Sequence, residues 1–77
     1  MANSLKTLRR FRNMTQEKLS AETGITARTI QNYESDISNL RKASYENLVS
    51  LAKALNVSVD DIFLDDVSEF LKLPKPN

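Results

Sequence analysis

Apolar residues recur in the first part of the chain at the three- and four-residue spacing of an amphipathic helix. Leu5, Leu8 and Phe11 form the first such group, and we predict helix 1 from Ser4 to Asn13, with Ser4 as its cap. The other face of this helix is predicted to be basic and solvent-facing, with Lys6, Arg9, Arg10 and Arg12. Its three arginines either bind phosphate groups or form a solvated basic surface.

Two short helices follow, joined around the single glycine of the chain. We predict helix 2 from Thr15 to Thr23 and helix 3 from Thr26 to Glu34. Gly24 comes directly after helix 2, where the left-handed conformation that closes a helix is costly for residues with a Cβ. The sequence therefore predicts a tight corner between these two helices.

The second half of the chain resumes the helical pattern after a polar interruption. Residues 35–43 are rich in Ser, Asn and Asp and are predicted to form a loop. Helix 4 is predicted from Ser44 to Asn56. Helix 5 is predicted from Ser58 to about Leu64, with a capping box formed by Ser58 and Asp61.

Four predicted helix starts share a hydrophobic staple, in which an apolar residue before the cap packs on another five positions later. The pairs are Met14 with Leu19, Ile25 with Ile30, Ala43 with Leu48, and Val57 with Ile62. Because a shift of one residue would break every pair, the staples support this register and an all-α fold.

Composition limits the classes to which the protein can belong. Seventy-seven residues, 40% of them hydrophobic, suffice for one small core, which we place in residues 1–64, with a C-terminal extension over residues 65–77. The chain has no Cys and no His, so disulfides, a zinc site and the usual catalytic groups are not expected. Without those groups, we expect a binding protein with no cofactor. We expect it in the cytoplasm, because neither an apolar leader nor a membrane-length apolar run is present.

Charge is unevenly distributed although the net charge is only +1. Residues 1–42 hold eight Lys or Arg against four acids, and residues 43–77 hold three against six. The first half could therefore face phosphates. The acidic pairs of the second half are explained more simply as helix caps and soluble surface than as a metal site.

The outer face of helix 3 carries the candidate chemistry. A tight corner leaves this face projecting from the body, as in proteins that insert a helix into the major groove. Arg28 can donate two bonds to guanine, and Gln31 or Asn32 can pair with adenine. Ala27 can touch a thymine methyl group, and Thr26 can reach a phosphate or a base edge. The alternative is an ordinary polar surface.

Several short motifs resemble the phage-repressor-like helix-turn-helix proteins of the Cro/cI or Xre group over Leu5 to Phe63. They are Met14-Thr15-Gln16, Gly24-Ile25-Thr26, Tyr33-Glu34 and the segment LAKALNVSV from Leu51 to Val59. The resemblance implies a five-helix, lambda-repressor-like fold that binds palindromic operators as a homodimer. It places the DNA backbone near Arg10, Thr15 and Gln16, and the groove near Thr26, Ala27, Arg28, Gln31 and Asn32.

The chain departs from the pattern of that family at three places. Ser20 stands where Ala is usual and Thr23 where an aliphatic residue is usual. Ser35-Asp36 replaces Asn-Gly, and the loop that follows is longer. Asp36 would repel a phosphate that it faced, whereas contacts to the DNA backbone are expected from four neighbours: Ser38, Asn39, Arg41 and Lys42.

Two functional hypotheses follow. The first is a transcriptional repressor that binds double-stranded DNA. The second is a protein-interaction module, such as an antitoxin or a phage adaptor, that binds protein through helix 5 and the tail, where a short C-terminal turn bears Val67, Phe70 and Leu71. The same turn could instead form the homodimer contact or cover the core.

Overall fold

A computed structural model describes residues 4–63, and within that range the chain forms six α-helices and no strand. The helices are α1 (Ser4–Phe11), α2 (Gln16–Thr23), α3 (Ala27–Ser35), α4 (Ile37–Arg41), α5 (Tyr45–Leu55) and α6 (Val59–Ile62). The all-α class is confirmed, with one helix more than predicted. Leu64 and the predicted extension over residues 65–77 lie outside the described residues.

Side-chain caps start four of the helices, at the positions that the sequence predicts. Thr15, Thr26, Ser44 and Ser58 each accept a hydrogen bond from the backbone N–H three residues further along. Ser58 and Asp61 form the predicted reciprocal capping box. These local bonds determine where α2, α3, α5 and α6 begin.

The loop predicted over residues 35–43 contains α4, so that prediction was wrong. Asp36 caps this helix by accepting a hydrogen bond of 2.9 Å from the backbone N–H of Ser38. Leu40 is fully buried and anchors the helix to the core. Ile37, half-buried, packs against the same core. A helix of five residues with two apolar positions is too short to show a sustained periodicity in the sequence.

One core joins all six helices. Its buried members are Leu5, Leu8, Leu19, Ile25, Ile30, Tyr33, Leu40, Leu51, Ala52, Leu55 and Ile62. Ser4, predicted as a cap, is instead a residue of α1, and its hydroxyl donates a 2.8 Å hydrogen bond to the carbonyl of Ile62. The beginning of α1 is therefore bonded to the end of α6.

Candidate nucleic-acid interface

Gly24 makes the corner between α2 and α3. Its φ of 77° lies in the left-handed region, and its N–H donates to the carbonyl of Ser20 at 2.9 Å. The Thr23 hydroxyl donates to the carbonyl of Leu19 and accepts from the N–H of Ile25. Thr23, polar where an aliphatic residue is usual, therefore contributes hydrogen bonds to the turn.

The corner turns one face of α3 inward and the other outward. Ile30 and Tyr33 are buried in the core, as predicted. Along the rest of the helix Arg28, Gln31 and Asn32 are exposed and Ala27 is half-buried, and the cap residue Thr26 just before the helix is exposed. The five residues predicted to read bases thus lie on or beside one accessible surface at the corner.

Arg9 is buried, which contradicts its predicted place on a basic, solvent-facing surface. Its guanidinium donates to both carboxylate oxygens of Glu34 at 2.7 and 3.0 Å, and to the carbonyl of Met14 at 2.7 Å. Such a bidentate pair has strong directional bonds. Because Glu34 belongs to α3 and Arg9 to α1, the pair holds the end of the projecting helix against the body.

Gln16 extends this buried network to the start of α2. Its Nε2 donates to Glu34 Oε1 at 3.2 Å. Because the Glu34 carboxylate accepts from Arg9 as well, it connects α1, α2 and α3 through side chains alone. Gln16 was expected to contact DNA, but its bond to Glu34 was not predicted.

A cleft of about 240 Å³ opens beside this network. Lys6 from α1, Gln16 from α2, and three residues of α3 line it, namely Gln31, Glu34 and Ser35. Gln31 is therefore at once a residue of the exposed α3 surface and a wall of the cleft.

The segment around α4 adds two exposed cations, Arg41 and Lys42. Its polar neighbours bond within the chain: the Ser38 hydroxyl donates to Asp36 at 2.9 Å, and Asn39 Nδ2 donates to the carbonyl of Asn32 at 3.2 Å. Hydrogen bonds from Ser38, with a weaker contribution from the charge of Lys42, hold the pKa of Asp36 below its usual 3.8.

Arg10 in α1 and Arg12 just after this helix have different environments. Arg10 is exposed, as a contact to the DNA backbone requires. Arg12 donates through Nε to the carbonyl of Leu55 at 2.8 Å, beside the left-handed cap at Asn56. A basic side chain on the last carbonyls of a helix stabilises that end, so Arg12 has a structural role that the sequence did not reveal.

Among residues 4–63 the structure shows no cluster of acidic side chains arranged to hold a metal ion. In the same range, no helix has the length and apolar character that a membrane span needs.

Comparison with known proteins gives one match, to a family. No curated protein and no solved structure matches the chain. The model of a helix-turn-helix family matches residues 5–62, a range that contains all six described helices except Ser4, the first residue of α1. The chain therefore belongs to the phage-repressor-like helix-turn-helix family of the Xre and Cro/cI type, and it is a DNA-binding protein.

Proposed function

We propose that this protein represses transcription by binding a specific operator through the major groove. The observation that carries the proposal is the corner at Gly24, beyond which α3 exposes Arg28 and Asn32 while its other side is buried in the core. The major groove admits one α-helix and presents a distinct pattern of donors and acceptors for each base pair.

Each exposed side chain of α3 suits a different part of a base pair. In this proposal Arg28 donates two bonds to guanine, and Asn32 pairs with adenine. Ala27 suits a thymine methyl group, and Thr26 suits a base edge or a phosphate at the mouth of the groove. The side-chain amide of Gln31 can contact either of two groups of the DNA, an adenine edge or a backbone phosphate.

Contacts to the DNA backbone position the reading helix without themselves specifying sequence. We assign them to seven residues from α1, from the start of α2 and from α4 with its C-terminal cap: Arg10, Thr15, Gln16, Ser38, Asn39, Arg41 and Lys42. The exposed cations Arg10, Arg41 and Lys42 supply the positive charge. The bonds of Ser38 to Asp36 and of Asn39 to Asn32 hold α4 in place beside the end of α3.

The operator is proposed to be palindromic and bound by a homodimer in the cytoplasm. Helix-turn-helix dimers insert their two reading helices about 34 Å apart, one turn of DNA. Each half-site then receives the same set of side chains.

Selection of bound sites from random duplex DNA tests the proposal. The expected result is a palindrome with half-sites about one helical turn apart. Binding to that site should weaken steeply as salt rises, because phosphate contacts release counterions. Repression should follow when the selected site overlaps a reporter promoter. Salt-insensitive association with another protein, without DNA binding, would favour the interaction-module hypothesis.

A further inference from the structure

We propose that the cleft formed by α1, α2 and α3 binds one phosphodiester of the DNA backbone, with Lys6, Gln31 and the amide nitrogen of Gln16 as its ligands. Gln31 is then a backbone contact, and base reading from the middle of α3 rests on Arg28 and Asn32. This inference rests on the proposed DNA-binding function and extends it to Lys6, which the family resemblance did not single out.

The cleft brings its donors together from three helices. Lys6 stands on α1, Gln16 at the start of α2, and Gln31 on the flank of α3 nearest Glu34. On α3, Arg28 and Asn32 lie one turn apart, whereas Gln31 lies one turn before Glu34 and Ser35. Gln31 therefore lies on the same side of α3 as the cleft residues Glu34 and Ser35. Arg28 and Asn32 are exposed on the adjacent side of the helix and do not line the cleft.

The charge of Glu34 does not prevent an anion from binding here. Its side chain is only 4% exposed, and its two carboxylate oxygens already accept from Arg9. A carboxylate paired in this way presents little net negative charge to the cleft. Lys6 is the cation among the lining residues, and its ammonium has three donors, so it can bond a phosphate oxygen in addition to the contact that it already makes within the chain.

Gln16 also has a fixed orientation toward this ligand. An ionised carboxylate only accepts hydrogen bonds, so Glu34 takes one hydrogen of the Gln16 amide nitrogen. The second hydrogen of that nitrogen remains for a phosphate oxygen. Exposed Gln31 contributes another amide donor from the facing wall.

Four variants of the full chain test the cleft: Lys6→Gln, Lys6→Arg, Gln31→Ala and, as a matched control, Lys53→Gln. Lys53 is an exposed cation of α5 outside the cleft lining, and its replacement removes the same charge. Affinity is measured by fluorescence anisotropy on the selected operator and on a random duplex over a range of salt. Circular dichroism checks that each variant is folded.

Lys6→Gln should weaken both duplexes by the same factor and lower the slope of log affinity against log salt by about 0.9. Lys6→Arg should retain the slope, and Lys53→Gln should leave both slope and affinity near wild type. Gln31→Ala should weaken both duplexes equally with the slope unchanged, because Gln31 carries no charge.

Two results would overturn the inference while leaving the proposed function intact. One is a Lys6→Gln slope equal to that of Lys53→Gln. The other is a Gln31→Ala loss confined to the operator, which would make Gln31 a base-reading residue. A wild-type protein without salt-dependent DNA binding would refute both proposals together.

Discussion

Arg9 and Glu34 form a bidentate ion pair at 2.7 and 3.0 Å between the first helix and the end of the projecting helix, with both side chains at most 10% exposed. Burial removes water from both charges, so each depends on the other and on one added bond, which Arg9 donates to the Met14 carbonyl and Glu34 accepts from Gln16. The pair therefore links the stability of the domain to the position of α3.

Removal of one partner should destabilise the domain strongly. We expect Glu34→Leu to lower the free energy of unfolding by about 3–5 kcal/mol, because Arg9 remains buried without its partner. The double variant Arg9→Met with Glu34→Leu should recover most of that loss, since apolar residues of similar volume need no water. Urea unfolding of the two single variants and the double variant measures this.

The exposed pair Lys18 and Glu22, with 60% and 45% of their side chains accessible, is the control. Lys18→Met should cost at most about 1 kcal/mol, as for exposed ion pairs in general. An equally small loss from Glu34→Leu would show that the buried pair does not hold the fold.

Arg28→Ala should reduce sequence discrimination more than general affinity. If Arg28 pairs with guanine, the operator loses about 1–3 kcal/mol of binding free energy relative to random DNA. Arg41→Ala, which removes a proposed phosphate contact, should weaken both duplexes by similar factors. Competition binding with the two duplexes distinguishes these outcomes, and equal losses for Arg28→Ala would remove it from the base-reading set.

Gly24→Ala should destabilise the domain by about 1–2 kcal/mol, the cost of a left-handed conformation for a residue with a Cβ. A Cβ built at Gly24 meets no atom within 4 Å, so a steric clash does not contribute. Gly24→Asn should lose less, because Asn tolerates this conformation. Thermal unfolding compares the two variants; an Asn variant as unstable as the Ala variant would contradict this explanation.

Acid should weaken the cap of α4. The pKa of Asp36 is lowered in the folded protein, so the charged carboxylate favours folding. That contribution is complete above the unfolded value of about 3.8–3.9 and is lost as pH falls through the lower, folded value.

Asp36→Asn retains a capping side chain but does not titrate. Unfolding midpoints measured from pH 6 to pH 2 should therefore fall further for the wild type than for this variant below about pH 4. Parallel curves would show that Asp36 titrates alike in both states.

Local interactions explain why much of the fold could be predicted. Thr15 and Ser58 cap helices through bonds to residues three positions away, and Gly24 closes α2 onto Ser20. The i, i+3 and i+4 stripe of Leu5 and Leu8 also contained a signal for the buried arginine, since Arg9 completes it. Arg9 was nevertheless predicted on the solvent-facing side of this helix; charged residues are seldom fully buried unless they are paired, and its partner Glu34 lies 25 residues away.

The sequence by itself determined the starts of α2, α3, α5 and α6, the corner and the outward side of α3, because these depend on backbone preferences and bonds within one turn. Only the tertiary structure decided the partners of Arg9 and Arg12, which lie 25 and 43 residues away along the chain. The cleft beside Gln31 likewise required three helices to meet. Contacts of this kind depend on how the helices pack, which residue spacing within one helix does not specify.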